Sequence, residues 1–93
     1  RGATAAAGAK VAELGPLGAL RAHDETGKAE YVETLYEWLR HPGDPRAAAR
    51  ELRIHPNTLR YRMRKLLELV PLDLDDPDVR LALITQLVAL RWS

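Results

Sequence analysis

The 93-residue chain contains no cysteine. That excludes a disulfide framework, a thiol nucleophile and a cysteine-ligated zinc site. Serine occurs once, at Ser93, so a serine hydrolase is excluded too. Phenylalanine is absent and aromatics make up only 5% of the chain, so any core must be aliphatic. No apolar run reaches the ~18 residues of a spanning helix. The Ala-rich start after Arg1 lacks the bulky apolar stretch of a secretory signal. The chain opens on Arg rather than Met, and its length fits one domain. The expectation is a single domain from a longer cytoplasmic protein.

What is present favours helix. Sixteen Leu and fourteen Ala stand against only seven Val and Ile together, and Leu and Ala are strong helix formers. The reading is an all-α fold, a small bundle of four to five helices. So small a core is marginal alone, which points to self-association or a neighbouring domain.

Net charge is only +1, but its distribution is uneven. Between Arg46 and Lys65 lie seven basic residues and one acid, Glu51, a local net charge of +6. The rest of the chain carries −5. A concentrated basic patch on an acidic body suits a polyanion ligand. A solvated helix face would carry the same charges, so the surrounding pattern must decide.

Residues 1–28 read as an N-terminal segment that links to a domain upstream, with a short helix at Lys10–Leu20 interrupted by Gly15-Pro16 and Gly18. His23–Lys28 reads as a loop. Residues 29–93 form the domain proper. Ala29–His41 is helical, with Val32, Leu35, Tyr36 and Leu39 on one face, and Pro42-Gly43 stops it. Asp44-Pro45 is a compact start signal for a short Ala-rich helix, Pro45–Leu52. His55-Pro56 starts a longer one, Pro56 to about Val70. Asp75-Asp76-Pro77 starts the last, which runs to about Arg91.

In the Pro56–Val70 helix, Leu59, Met63, Leu66 and Val70 form an apolar seam, while Asn57, Arg60, Tyr61, Arg64 and Glu68 lie opposite, with Thr58 and Lys65 along a margin. The last helix is apolar on both sides. Val79, Leu83, Leu87 and Leu90 make one face, and Leu81, Ile84 and Val88 make a second, the candidate dimer surface, with packing on the N-terminal segment Val11–Leu20 as the alternative.

A short helix, a tight turn and a longer helix make a helix-turn-helix pattern. Ala48, Leu52, Ile54 and Leu59 can converge into a seam that sets the two helices against each other. The outward half of the second helix then projects as a ridge, the shape that enters the major groove of double-stranded DNA. Asn57 suits an adenine edge, and Arg60 and Arg64 suit guanine or phosphate. Thr58 and Tyr61 offer hydroxyls, Lys65 adds charge, and Arg46 and Arg50 are placed to hold phosphates. His55 reads equally well as a phosphate contact or as a helix-start residue packed over the turn.

The run from Arg46 to Met63, above all His55-Pro56-Asn57-Thr58-Leu59-Arg60-Tyr61-Arg62, resembles the C-terminal helix-turn-helix of the PucR/CdaR family of bacterial transcriptional regulators. The segment Leu72–Leu83 and the upstream Leu14-Gly15-Pro16-Leu17 extend the likeness over roughly Leu14 to Leu90. The resemblance implies a longer regulator whose upstream regions sense a signal while this domain binds operator DNA. One departure is Arg53, where many helix-turn-helix motifs place glycine.

Other features take plainer readings. His23 and His41 are isolated and read as surface histidines. Tyr31 and Trp38 read as core or interface packing. Asp73, Asp75, Asp76 and Asp78 lack the glycine and distal Glu of a calcium loop, and capping of the last helix is the expected role of Asp76 and Asp78. No constellation for catalysis is present, and neither an enzyme nor a cofactor is expected. The rival function is a helical interaction module whose basic stripe meets an acidic partner. RNA is a weaker fit, because its major groove is too narrow for a helix.

Overall fold

The computed structural model describes residues 15–27 and 30–91. These form five helices and no strand: α1 (Pro16–Gly27), α2 (Tyr31–Arg40), α3 (Pro45–Leu52), α4 (Pro56–Leu69) and α5 (Pro77–Arg91). The start of the expected Lys10–Leu20 helix lies outside the described residues. No described helix is long and apolar enough to cross a membrane.

The proline-marked starts behave as their chemistry dictates. The Asp44 carboxylate accepts a hydrogen bond from the Ala47 N–H at 3.1 Å, and Pro45 fills the first helical position, where no N–H is needed. Asp76 does the same for α5 by accepting from the Asp78 N–H at 2.8 Å. Asp73 closes the preceding turn by accepting from the Asp75 N–H. Within the acidic cluster, Asp73 thus serves a turn and Asp76 a helix start.

The N-terminal portion departs from expectation. His23–Gly27 is not loop; α1 runs through it. Gly15-Pro16 opens this helix rather than breaking it, with the Gly15 carbonyl accepting the Ala19 N–H. Leu17 and Leu20 are fully buried, and that anchorage outweighs the turn preference of Asp24, Thr26 and Gly27. Asp24 also has a task outside its own helix. Its carboxylate accepts from the backbone N–H groups of Tyr31 (2.6 Å) and Val32 (3.0 Å), satisfying the free donors at the start of α2.

The core is aliphatic throughout. Leu35 and Leu39 of α2, Ala48 and Ala49 of α3, the α4 seam Leu59, Met63 and Leu66 with Val70 beyond it, and Leu83 and Leu87 of α5 join the α1 leucines. The two alanines let α3 lie close against its neighbours. Helix α2 is the hub, packing on α1, α3, α4 and α5. Along α5, Leu81 (64% exposed) and Val88 stay at the surface, whereas Ile84 turns toward the core and is partly covered. The second apolar face of α5 is therefore narrower than its sequence suggests.

His41 is a further correction. Its Nε2 is buried and lies 3.4 Å from the Glu37 carboxylate, which is itself buried and also approached at 3.4 Å by Arg40. His41 caps the C-terminus of α2, one helical turn after Glu37, and the chain then turns at Pro42-Gly43, with Gly43 in the left-handed region at φ 74°.

Candidate nucleic-acid interface

The turn between α3 and α4 sets the whole surface. Arg53 sits in the left-handed region (φ 58°, ψ 43°). Its N–H donates to the Arg50 carbonyl (3.1 Å), and the Ile54 N–H donates to the Ala49 carbonyl (3.0 Å). This pair of bonds is a Schellman motif, which normally places glycine where Arg53 stands. The backbone is thus the one a glycine would give, held by an arginine at a cost of about 1–2 kcal/mol. Ile54 tucks against the core beside Leu52, so the expected seam of Ala48, Leu52, Ile54 and Leu59 does form.

The next residue starts the second helix. His55 is extended (φ −71°, ψ 145°), and its Nδ1 accepts from the Asn57 N–H at 3.0 Å. Of its two sequence readings, helix-start residue is the one the geometry displays. Because Nδ1 accepts, the neutral ring carries its hydrogen on Nε2, which leaves a side-chain donor at the mouth of the helix. Pro56 then occupies the first helical position.

With Leu59, Met63 and Leu66 buried, the opposite side of α4 must face outward. Asn57, Thr58, Arg60, Tyr61, Arg64 and Lys65 are all exposed. They are not independent. Arg60 donates to the Asn57 side-chain oxygen at 3.2 Å. The Tyr61 ring has Arg64 on one approach and Lys65 on another, each 5.8 Å from its centroid. Lys65 also reaches Glu68 at 3.8 Å. Arg62 lies on the other flank, where Glu30 at the start of α2 accepts from it at 3.4 Å. Of the seven basic residues of the charged window, Arg62 is tied across the fold rather than offered on the ridge.

Two open clefts adjoin the ridge. The first lies between α3 and the start of α4, where Arg46, Arg50, His55, Asn57 and Arg60 surround it. Arg46 and Arg50, expected to hold phosphate, thus gather with His55 and Arg60 at one place, beside the positive end of a helix. The second is lined by Trp38, Asn57, Arg60, Met63, Arg64 and Leu67. The clefts share Asn57 and Arg60, so they adjoin at the Asn57–Arg60 turn of α4. Trp38, in the last turn of α2, is the member that sequence reading missed. A lone partly apolar tryptophan carries no local signal of this placement, which depends on how α2 crosses α4.

Comparison with known proteins agrees with this geometry. Residues 31–89 match the PucR C-terminal helix-turn-helix domain. The chain is 42% identical to the carbohydrate diacid regulator of Escherichia coli (strain K12) over 72 residues, 77% of this chain and 18% of that protein. It is 35% identical to the proline-responsive transcriptional activator PutR of Bacillus subtilis (strain 168) over 75 residues, 81% of this chain and 18% of that protein. The chain therefore spans less than a fifth of the length of these curated relatives. No solved structure gives a significant match. The family and its relatives are transcriptional regulators, and the chain belongs to the PucR C-terminal helix-turn-helix domain family as a DNA-binding regulatory domain.

Proposed function

We propose that this domain reads operator DNA by laying the N-terminal half of α4 in the major groove. The observation that carries the reading is the side-chain arrangement of α4: a fully buried apolar seam beneath an exposed ridge of Asn57, Arg60, Tyr61 and Arg64. The ridge delivers side chains to base edges, with Asn57 and Arg60 already joined by a hydrogen bond. Arg46, Arg50 and His55, with the α4 N-terminus, anchor phosphates and fix the register. Thr58 and Lys65 reach the groove wall from the margin.

A single ridge makes a small footprint, so specificity requires two copies on a two-part site. We place the contact between copies at Leu81 and Val88, with Ile84 beneath them; the exposure of Leu81 supports this. The relatives extend far beyond the matched segment. By analogy, signal reception belongs to an upstream region of a cytoplasmic regulator, and this domain performs no catalysis.

The test is binding to a mixed-sequence fluorescent duplex across a salt series, beside an Arg60→Ala/Arg64→Ala variant. Affinity should fall steeply with salt, and the variant should show a slope shallower by about two. Equal slopes would remove these arginines from the interface. Absence of wild-type binding even at low salt would favour the rival interaction-module reading.

A further inference from the structure

Trp38, Met63 and Leu67 of the second cleft have no role in the reading above, and they are unusual on a DNA-facing surface. They give the cleft an apolar floor, while Asn57, Arg60 and Arg64 form its rim. The cleft is not separate from the basic one, because Asn57 and Arg60 belong to both. The two clefts adjoin along a flank of α4, basic at the α3 end and indole-walled at the α2 end, where Trp38, Met63 and Leu67 also border a further cleft that holds Asp73, Asp75 and Arg80. Arg60 borders both clefts, and Arg64 borders the second.

We infer that these two adjoining clefts hold one sugar-phosphate backbone of the DNA and that Trp38 is a DNA-contact residue. The inference rests on the DNA-binding reading. An indole suits the position, since its apolar body packs against deoxyribose while its N–H donates to a phosphate oxygen. The alternating chemistry of a nucleic-acid strand, apolar sugar between charged phosphates, matches an apolar floor with a cationic rim. Neither a purely acidic peptide nor a purely apolar helix does so. Trp38 thus carries the interface beyond the helix-turn-helix to the preceding helix, and contributes affinity without contributing charge.

The lack of charge makes the test decisive. The chain has two tryptophans, so Trp92→Phe leaves Trp38 as the sole indole emitter. Titrating that chain with a mixed-sequence duplex should change Trp38 emission and shield it from acrylamide. In the otherwise native chain, Trp38→Phe keeps the apolar floor and removes the N–H. It should weaken binding about tenfold, leave the melting temperature close to wild type, and leave the salt slope unchanged because no counterion-releasing charge is lost. Arg64→Ala, in contrast, should flatten the slope by about one.

Unaltered Trp38 emission and quenching on DNA would overturn the inference, whether or not Trp38→Phe weakens binding, since a structural role would give only the latter. Emission that changes with protein concentration alone would assign the second cleft to a second copy of the chain and overturn it too. In both cases binding that still responds to Arg60→Ala/Arg64→Ala leaves the DNA-binding reading standing. A wild-type chain that binds no duplex refutes both.

Discussion

Replacing Arg53 with glycine should stabilise this domain, although it deletes a long side chain from the middle of its most characteristic motif. Arg53 is exposed and is held at φ 58°, where a Cβ crowds the following carbonyl oxygen. Removing that crowding releases about 1–2 kcal/mol. Glycine is freer in the unfolded chain, which returns about 0.5–1 kcal/mol of the gain. The net is about 1 kcal/mol, or about 4–8 °C in melting temperature for a domain of this size. Arg53→Ala is the control: it loses the same charge and keeps the Cβ, so it should melt no higher than wild type. Thermal denaturation followed by far-ultraviolet circular dichroism measures all three. The two variants should also share one salt slope for DNA binding, because they differ by no charge. If Arg53→Gly melted at or below Arg53→Ala, the left-handed turn described above would be wrong.

Leu59 is fully buried at the seam between α3 and α4, so Leu59→Ala should cost about 2–5 kcal/mol, measured by urea denaturation, and leave little folded protein at physiological temperature. Asp44→Ala removes the side-chain cap of α3 and should cost about 1 kcal/mol, with Asp44→Asn recovering most of it; equal melting of all three proteins would deny the cap. Leu81→Lys places a charge on the exposed apolar face of α5. Sedimentation velocity should show weakened self-association with an unchanged melting temperature, and a monomeric wild type would end the proposal for that face.

Much of the helix-turn-helix was legible because its signals are local. Asp44-Pro45 and His55-Pro56 specify where α3 and α4 begin within two residues each, through a side-chain acceptor and a ring that needs no N–H. The seam of α4 follows from 3.6-residue periodicity, and its four members are the four buried residues of that segment. The exposed ridge is simply the remainder of the wheel. The glycine-like turn at Arg53 was obscured because its side chain is atypical there, while the two backbone bonds that enforce the turn are invisible in composition.

The misreadings share one cause, which is burial set by packing between helices. Residues 23–27 have loop composition, yet Leu17 and Leu20 anchor them as helix and Asp24 caps the helix that follows. His41 looks solitary in the sequence, but it stands one helical turn after Glu37, and the fold buries its Nε2 against that carboxylate. Ile84 sits with Leu81 and Val88 on the helical wheel, yet packing against the bundle draws it inward.

The sequence by itself thus determined the all-helical class, the α3 and α4 boundaries and the residues of the ridge, since capping and periodicity act within a turn or two of helix. Only the tertiary structure decided which charges stay available and what stands beside them. Arg62 is committed to Glu30, 32 residues away, and Trp38 is set next to Arg60 and Arg64. Both outcomes arise from how α2 packs across α4, a relation that no local stretch of the chain encodes.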